Sequence, residues 1–305
     1  MALTNFSNGI SSFGIPLIGS GPILTTGKVF FVDSNNAGGQ GTKARPFATI
    51  DEAVGNCTAN KGDFIIVMPG HVETLTAAGQ LVLDVAGITV YGLGTGSLQP
   101  QVVHDTAIGA DVDIDAANVT IHNLHFVASF ADVTASIDLN AADCWLSHCR
   151  WTDEGANLNF VDYILGPGDN VADGLKVTDC WAVGADAAND GFLNCVGDID
   201  RLVFQRNFVK LNVATTEPVI EVTGKSLTNC LITNNFISRA NTSGIIFVDS
   251  DQTDNSGIIA YNAIDAADVA AATPIDLTGA AAFENYYTGE ADASGLLLPA
   301  VYNDA

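Results

Sequence analysis

The sequence predicts an all-β chain wound as a right-handed parallel β-helix: a solenoid of about ten coils with an N-terminal capping helix and an extended N-terminal arm. Three observations predict it. Strand-like phrases recur at a near-constant interval, apolar residues alternate within each phrase, and the segments between them lack helical periodicity.

The phrases are ITVYGL at 88, VTIHNL at 119, CWLSHC at 144, LKVTDC at 175, LVFQRN at 202, CLITNN at 230 and GIIAYN at 257. Taking the third residue as anchor gives Val90, Ile121, Leu146, Val177, Phe204, Ile232 and Ile259, spaced 31, 25, 31, 27, 28 and 27 apart. An eighth phrase, AAFENY, places Phe283 a further 24 on. The anchors and the residues two before them are apolar, apart from Gly257, whereas the residue between varies. That is strand alternation with one face inward. Three residues after the anchor stand Leu93, Leu124, Cys149, Cys180, Asn207, Asn235 and Asn262. Asn at one turn position in successive coils predicts a stacked amide ladder, and Asn tolerates the left-handed conformation of a tight turn. A second strand-like phrase follows in most repeats: SIDL at 136, DYIL at 162, GFLNCV at 191, PVIEV at 218, GIIFV at 244 and PIDL at 274. A leucine-rich repeat competes, because Leu227, Cys230, Ile232, Asn235 and Ile237 fit its pattern. Uneven spacing and β-branched return segments rank it lower.

The ends differ from the middle. Residues 28–87 read as opening coils and a capping helix, and 88–289 as the β-helix repeats. In TIDEAVGNC, Thr49 and Glu52 have capping-box spacing, and Ile50, Ala53, Val54 and Cys57 share a face. An open solenoid end exposes core and unpaired strand edges, so a lid is expected there. Residues 1–27 carry no charged side chain and read as an extended docking arm; residues 290–305 form a C-terminal tail.

Acids number 35 against 11 bases, a net charge of −24. Clustered Lys and Arg are needed to hold a phosphate backbone or anionic lipid, so neither nucleic acid nor a membrane is expected as partner. The start has no basic segment ahead of an apolar core, so no secretory signal is expected. The six cysteines form no CxxC pair and read as small buried apolar residues. No cofactor or metal site is expected. His122, His125 and His148 lie on neighbouring coils, but positions three apart on a strand face opposite sides.

The phrase KVFFVDSNNAGGQGTKARPFATIDEAV resembles the opening of pectate-lyase-like right-handed β-helix proteins. The phrases GDFIIVMPGHVETL, LDVAGITVYGLGTG and YYTGEADASGLLLPA, with NGISSFGIP near the start, are similar to phage-encoded β-helix virion proteins. That resemblance implies a structural role on the virion as head decoration, head fibre or another appendage, and it carries over no catalytic residues. The expected function is therefore a non-enzymatic virion protein docked by its arm on the major capsid protein or another virion protein. The alternative is a tailspike-like protein that degrades or binds a host surface glycan.

Two expectations about surfaces follow. Val203, Leu231 and Ile258 make an outward apolar stripe in the later coils, which predicts a homotrimer. Chemistry on an acidic polysaccharide would need a Lys or Arg base, and Lys176 and Arg206 fall in different columns. Trp145, Trp151 and Trp181 could make a sugar platform, but stacking in or against the coil wall is the cheaper explanation.

Overall fold

The computed structural model describes residues 10–12, 15–17, 25–36, 38–155, 157–185, 189–212, 218–222, 224–239, 244–250, 252–266, 272–287 and 296–298. Most of the arm and tail lie outside the described residues. Within 1–27, Ile10–Ser12 and Ile15–Leu17 pair antiparallel.

The described core is an all-β parallel solenoid. Three sheets run along it, and each coil contributes one strand to each in turn. The first sheet has ten strands, from Val29–Val32 and Phe64–Val67 through to Gly257–Ala260 and Ala281–Phe283. The second also has ten, and its last, Leu296–Leu298, pairs antiparallel. The third has eight, so fewer than ten coils close fully. Among the described residues the one α-helix is the five-residue Ile50–Val54. The leucine-rich alternative, which needs a helical return in each repeat, is not what forms.

Alternation selects the core. Val90, Ile121, Leu146, Val177, Phe204, Ile232 and Ile259 sit in register on adjacent strands and are at most 1% exposed. At about 25 cal/mol per Å², burial of such a column is the main favourable term in closing each coil. The last rung corrects the reading of AAFENY. Ala282, not Phe283, pairs with Ile259. The interval is one residue shorter, because the inward position takes the small residue and Phe283 turns out against Tyr261, 5.8 Å between ring centroids.

The turn between the first two strands of a coil also differs from expectation. The left-handed residue is not the ladder residue but the one before it: Asn123, His148, Asp179, Arg206, Asn234, Tyr261 and Glu284, with φ between 51° and 60°. One such residue reverses the chain direction, and the next side chain then points inward. That geometry leaves the asparagine free to use its amide inside.

Local chemistry builds the helix. Thr49 Oγ1 accepts from Glu52 N at 3.1 Å, and the Glu52 carboxylate accepts from Ala48 N at 2.9 Å. Ile50, Ala53 and Val54 are buried against Val29–Val32, Phe64–Val67 and Leu81–Val82. No helix among the described residues is long and apolar enough to cross a membrane.

Candidate functional site

The ladder residues meet inside the first turn. Asn207, Asn235 and Asn262 each donate a side-chain N–H to the anchor carbonyl of the preceding coil: Val177, Phe204 and Ile232, at 2.9, 2.9 and 3.0 Å. Each Oδ1 accepts the backbone N–H of the ladder residue below, Cys180, Asn207 and Asn235 respectively. Asn285 adds a fourth rung, donating to Ile259 and accepting from Asn262 N. It stands three after Ala282, so the misplaced anchor hid it. Cys149 and Cys180 occupy the same position with thiols directed at the Ile121 and Leu146 carbonyls, both at 3.7 Å. Their shorter side chains offer no acceptor of comparable strength.

Val203, Leu231 and Ile258 lie opposite one another on successive strands of the first sheet, and Ile258 is 40% exposed. Lys176 continues that row below Val203. Arg206 instead turns back and donates twice to Asp179, both bonds 2.7 Å, so these two bases do not converge. The three tryptophans separate as well. Trp145 is on the first sheet, Trp151 is wholly inside with its indole N–H on Ser136 Oγ at 3.1 Å, and Trp181 is on the second sheet. His122 and His148 meet, their ring centroids 4.8 Å apart, but His125 does not join them. His122 stacks on Tyr91 at 4.4 Å and meets Ser147, whereas His125 meets Thr152 at 2.7 Å on the next sheet. Burial, helped by the neighbouring His148 and Arg150 respectively, lowers both to about 4.

The third sheet carries acids. Asp113 and Asp138 are partners, and further along the row Asn194, Glu221, Asp249 and Asp276 follow one another. Asp111, Asp113 and Asp138 place ligand oxygens within 4.8 Å of one another, the one such group among the described residues. Burial first raises all three carboxyls, and neighbouring carboxylates add to it, Asp138 on Asp111, Asp115 on Asp138, and Asp111, Asp115 and Asp138 on Asp113, which reaches about 6. Asp162 is 5% exposed beside Asn194, and burial plus the Asp190 and Glu221 charges push it to about 7.

The second sheet carries a different surface. Immediately after the ladder column, its outward row reads His125, Arg150, Trp181, Phe208, Phe236, Ala263 and Tyr286 on successive coils. The Arg150 guanidinium lies 4.5 Å over Trp181. Trp181 stacks on Phe208 at 5.9 Å and 13°, and Phe208 on Phe236 at 5.1 Å and 5°. Beside this wall is a cleft of about 430 Å³ lined by Val183, Gly184, Lys210, Asn212, Ser238 and Arg239, among others. Lys210 is exposed and Arg239 buried. Arg239 pairs with the inward-facing Leu211 and Lys210 with Ser238, so of these two bases Lys210 presents its charge at the cleft. The column four after the anchor was legible in the repeat alignment and would have shown the aromatic row. The cleft was not, because it needs Lys210, Asn212 and Ser238 set side by side by the stacking of one coil on the next.

No family model matches the chain, and no curated protein matches it. Two solved structures are similar in fold. A rhamnogalacturonan lyase shares 13% identity with a TM-score of 0.47, over 78% of this chain and 68% of its own. A pectate lyase from Bacillus sp. N165, solved with trigalacturonate, shares 11% with a TM-score of 0.45, over 92% of this chain and 89% of its own. The sheet order by itself makes the fold an all-β parallel β-solenoid. The expectation of a non-enzymatic chain is corrected by these neighbours, since both are enzymes by name. That expectation rested on the virion resemblance, which carries over no catalytic residues, and on Lys176 and Arg206 falling in different columns.

Proposed function

We propose that the protein acts on a polysaccharide, holding a glycan strand against the outer face of the second sheet. The supporting observation is the stacked wall of Trp181, Phe208 and Phe236 beside the cleft at which Lys210 is exposed. Aromatic side chains offer apolar area at little entropic cost to the C–H faces of a sugar. A lysine ammonium binds a uronate carboxylate. In its free-amine form it instead takes the proton beside that carboxylate, the C–H electron pair becoming a C=C bond as the neighbouring glycosidic C–O bond breaks and its oxygen leaves with a proton from water. The setting read from the sequence belongs to the same proposal: a virion protein anchored by residues 1–27 on a capsid partner, with host surface glycan as ligand. Within it, three copies meet through Val203, Leu231 and Ile258, and Ile50–Val54 serves as lid on the first coil.

The test uses the full chain with neutral and uronate-containing polysaccharides. Affinity electrophoresis reads binding, reducing ends read hydrolysis, and ultraviolet absorbance of an unsaturated uronate reads elimination. Retardation or product that falls in Lys210→Ala is the expected result. Neither retardation nor product with any polysaccharide refutes the proposal.

A further inference from the structure

The aromatic row on the second sheet has one rung missing. Phe236, Ala263 and Tyr286 are register partners on three successive strands. Below Phe236 the row is filled, with Phe208 stacked 5.1 Å away. Above it the methyl of Ala263 leaves the upper face of Phe236 uncovered. The consequence shows in exposure: Phe236 is 41% and Tyr286 50% exposed, whereas Trp181 and Phe208 are only half-buried members of the stack.

We propose that this gap is a subsite for one neutral hexopyranose ring, seated edge-in between Phe236 and Tyr286 over Ala263. The inference rests on the glycan-binding reading of the same sheet face and names where, and what kind of, sugar is held. Spacing carries the choice of ligand. Adjacent strands are about 4.8 Å apart, so the two flanking rungs are separated by about 9.6 Å. A ring seated midway lies about 4.8 Å from each. Flat aromatic carbons touch at about 3.5–4.0 Å, so a planar ligand would be loose on both faces. A puckered saturated ring, with axial hydrogens projecting from both faces, fills that distance. Charge decides between neutral and acidic sugars. Two residues along the same strands, the Ser238 hydroxyl donates to Asp265 Oδ2 at 3.1 Å. Asp265 is exposed beside the gap and accepts sugar hydroxyls while repelling a carboxylate. The cleft with Lys210 begins one coil below Phe236, so an acidic residue of a mixed glycan and a neutral one have separate places on one track.

The experiment titrates the full chain with maltohexaose, cellohexaose, laminarihexaose and mannohexaose. Calorimetry gives affinity, and proton spectra of the sugar give the upfield ring-current shift of a ring stacked on aromatic faces. Ala263→Phe completes the stack. It is expected to leave the unfolding midpoint unchanged or raised, weaken binding at least tenfold and abolish the upfield shift. Phe236→Ala and Tyr286→Ala remove one wall each and are expected to do the same to binding, which keeps the test alive if Ala263→Phe does not fold. Binding of any hexasaccharide unchanged within threefold in all three variants overturns the subsite while leaving the glycan reading intact. So does a wild-type chain that binds only acidic polysaccharide. A chain that binds no glycan of either kind overturns the reading and the subsite with it.

Discussion

Replacing Asn235 by alanine tests what holds the coils in register. Asn235 is 2% exposed and its amide is fully used. It donates to the Phe204 carbonyl and to Asn262 Oδ1, both at 2.9 Å, and accepts from Asn207 N at 2.9 Å. Truncation removes the two hydrogen bonds the amide donates, each worth about 1 kcal/mol net. It also strands the Asn207 N–H in the interior, where an unsatisfied donor costs about 1–3 kcal/mol. The loss should be about 3–5 kcal/mol, larger than the ~1 kcal/mol typical of a point substitution. Asn235→Cys, which copies the residue type at Cys149 and Cys180, should lose less, because a thiol still points toward the carbonyl. The assay is urea unfolding followed by circular dichroism, comparing midpoints at unchanged slope. A shift under about 1 kcal/mol for Asn235→Ala would show that strand pairing alone sets the register and that the ladder is incidental.

Three further outcomes are expected. Lys210→Ala should reduce glycan turnover or binding at least tenfold with no change in melting temperature; equal activity removes Lys210 from the site. Asp162→Asn should stabilise the protein above pH 7 and be neutral at pH 4. The raised carboxyl favours the folded state only while protonated, so its contribution is lost as pH rises through about 7. The upper bound on that gain is about 4 kcal/mol, and equal stability at pH 8 would refute it. Leu231→Glu should convert a trimer to monomers by light scattering, and a wild-type chain that is monomeric at micromolar concentration removes the contact.

Much of the fold was legible from the residues. The inward column from Val90 to Ile259 could be read by eye, because alternation is a local property of each strand and repeats independently in every coil. Errors came where a coil departs from the consensus. AAFENY offers both Ala282 and Phe283 as anchor, and only pairing with Ile259 chooses between them. The turn residue was misassigned because Asn is favoured both as a left-handed residue and as an amide donor, and in NNF both occur side by side at Asn234 and Asn235. The site was less legible. The aromatic row lay in plain alignment one position beyond the ladder, but its value depends on the rings facing out and stacking, which a sequence column does not state.

The amino-acid sequence by itself determined the all-β solenoid, its inward apolar column and the Asn positions, because each follows from period-two alternation and turn chemistry within a few residues. The tertiary structure alone decided the register of unequal repeats. It also decided the cleft beside Lys210, the acid row from Glu221 to Asp276, and the gap over Ala263. Those contacts join residues from different coils, and which of them meet is set by how each coil seats on the last.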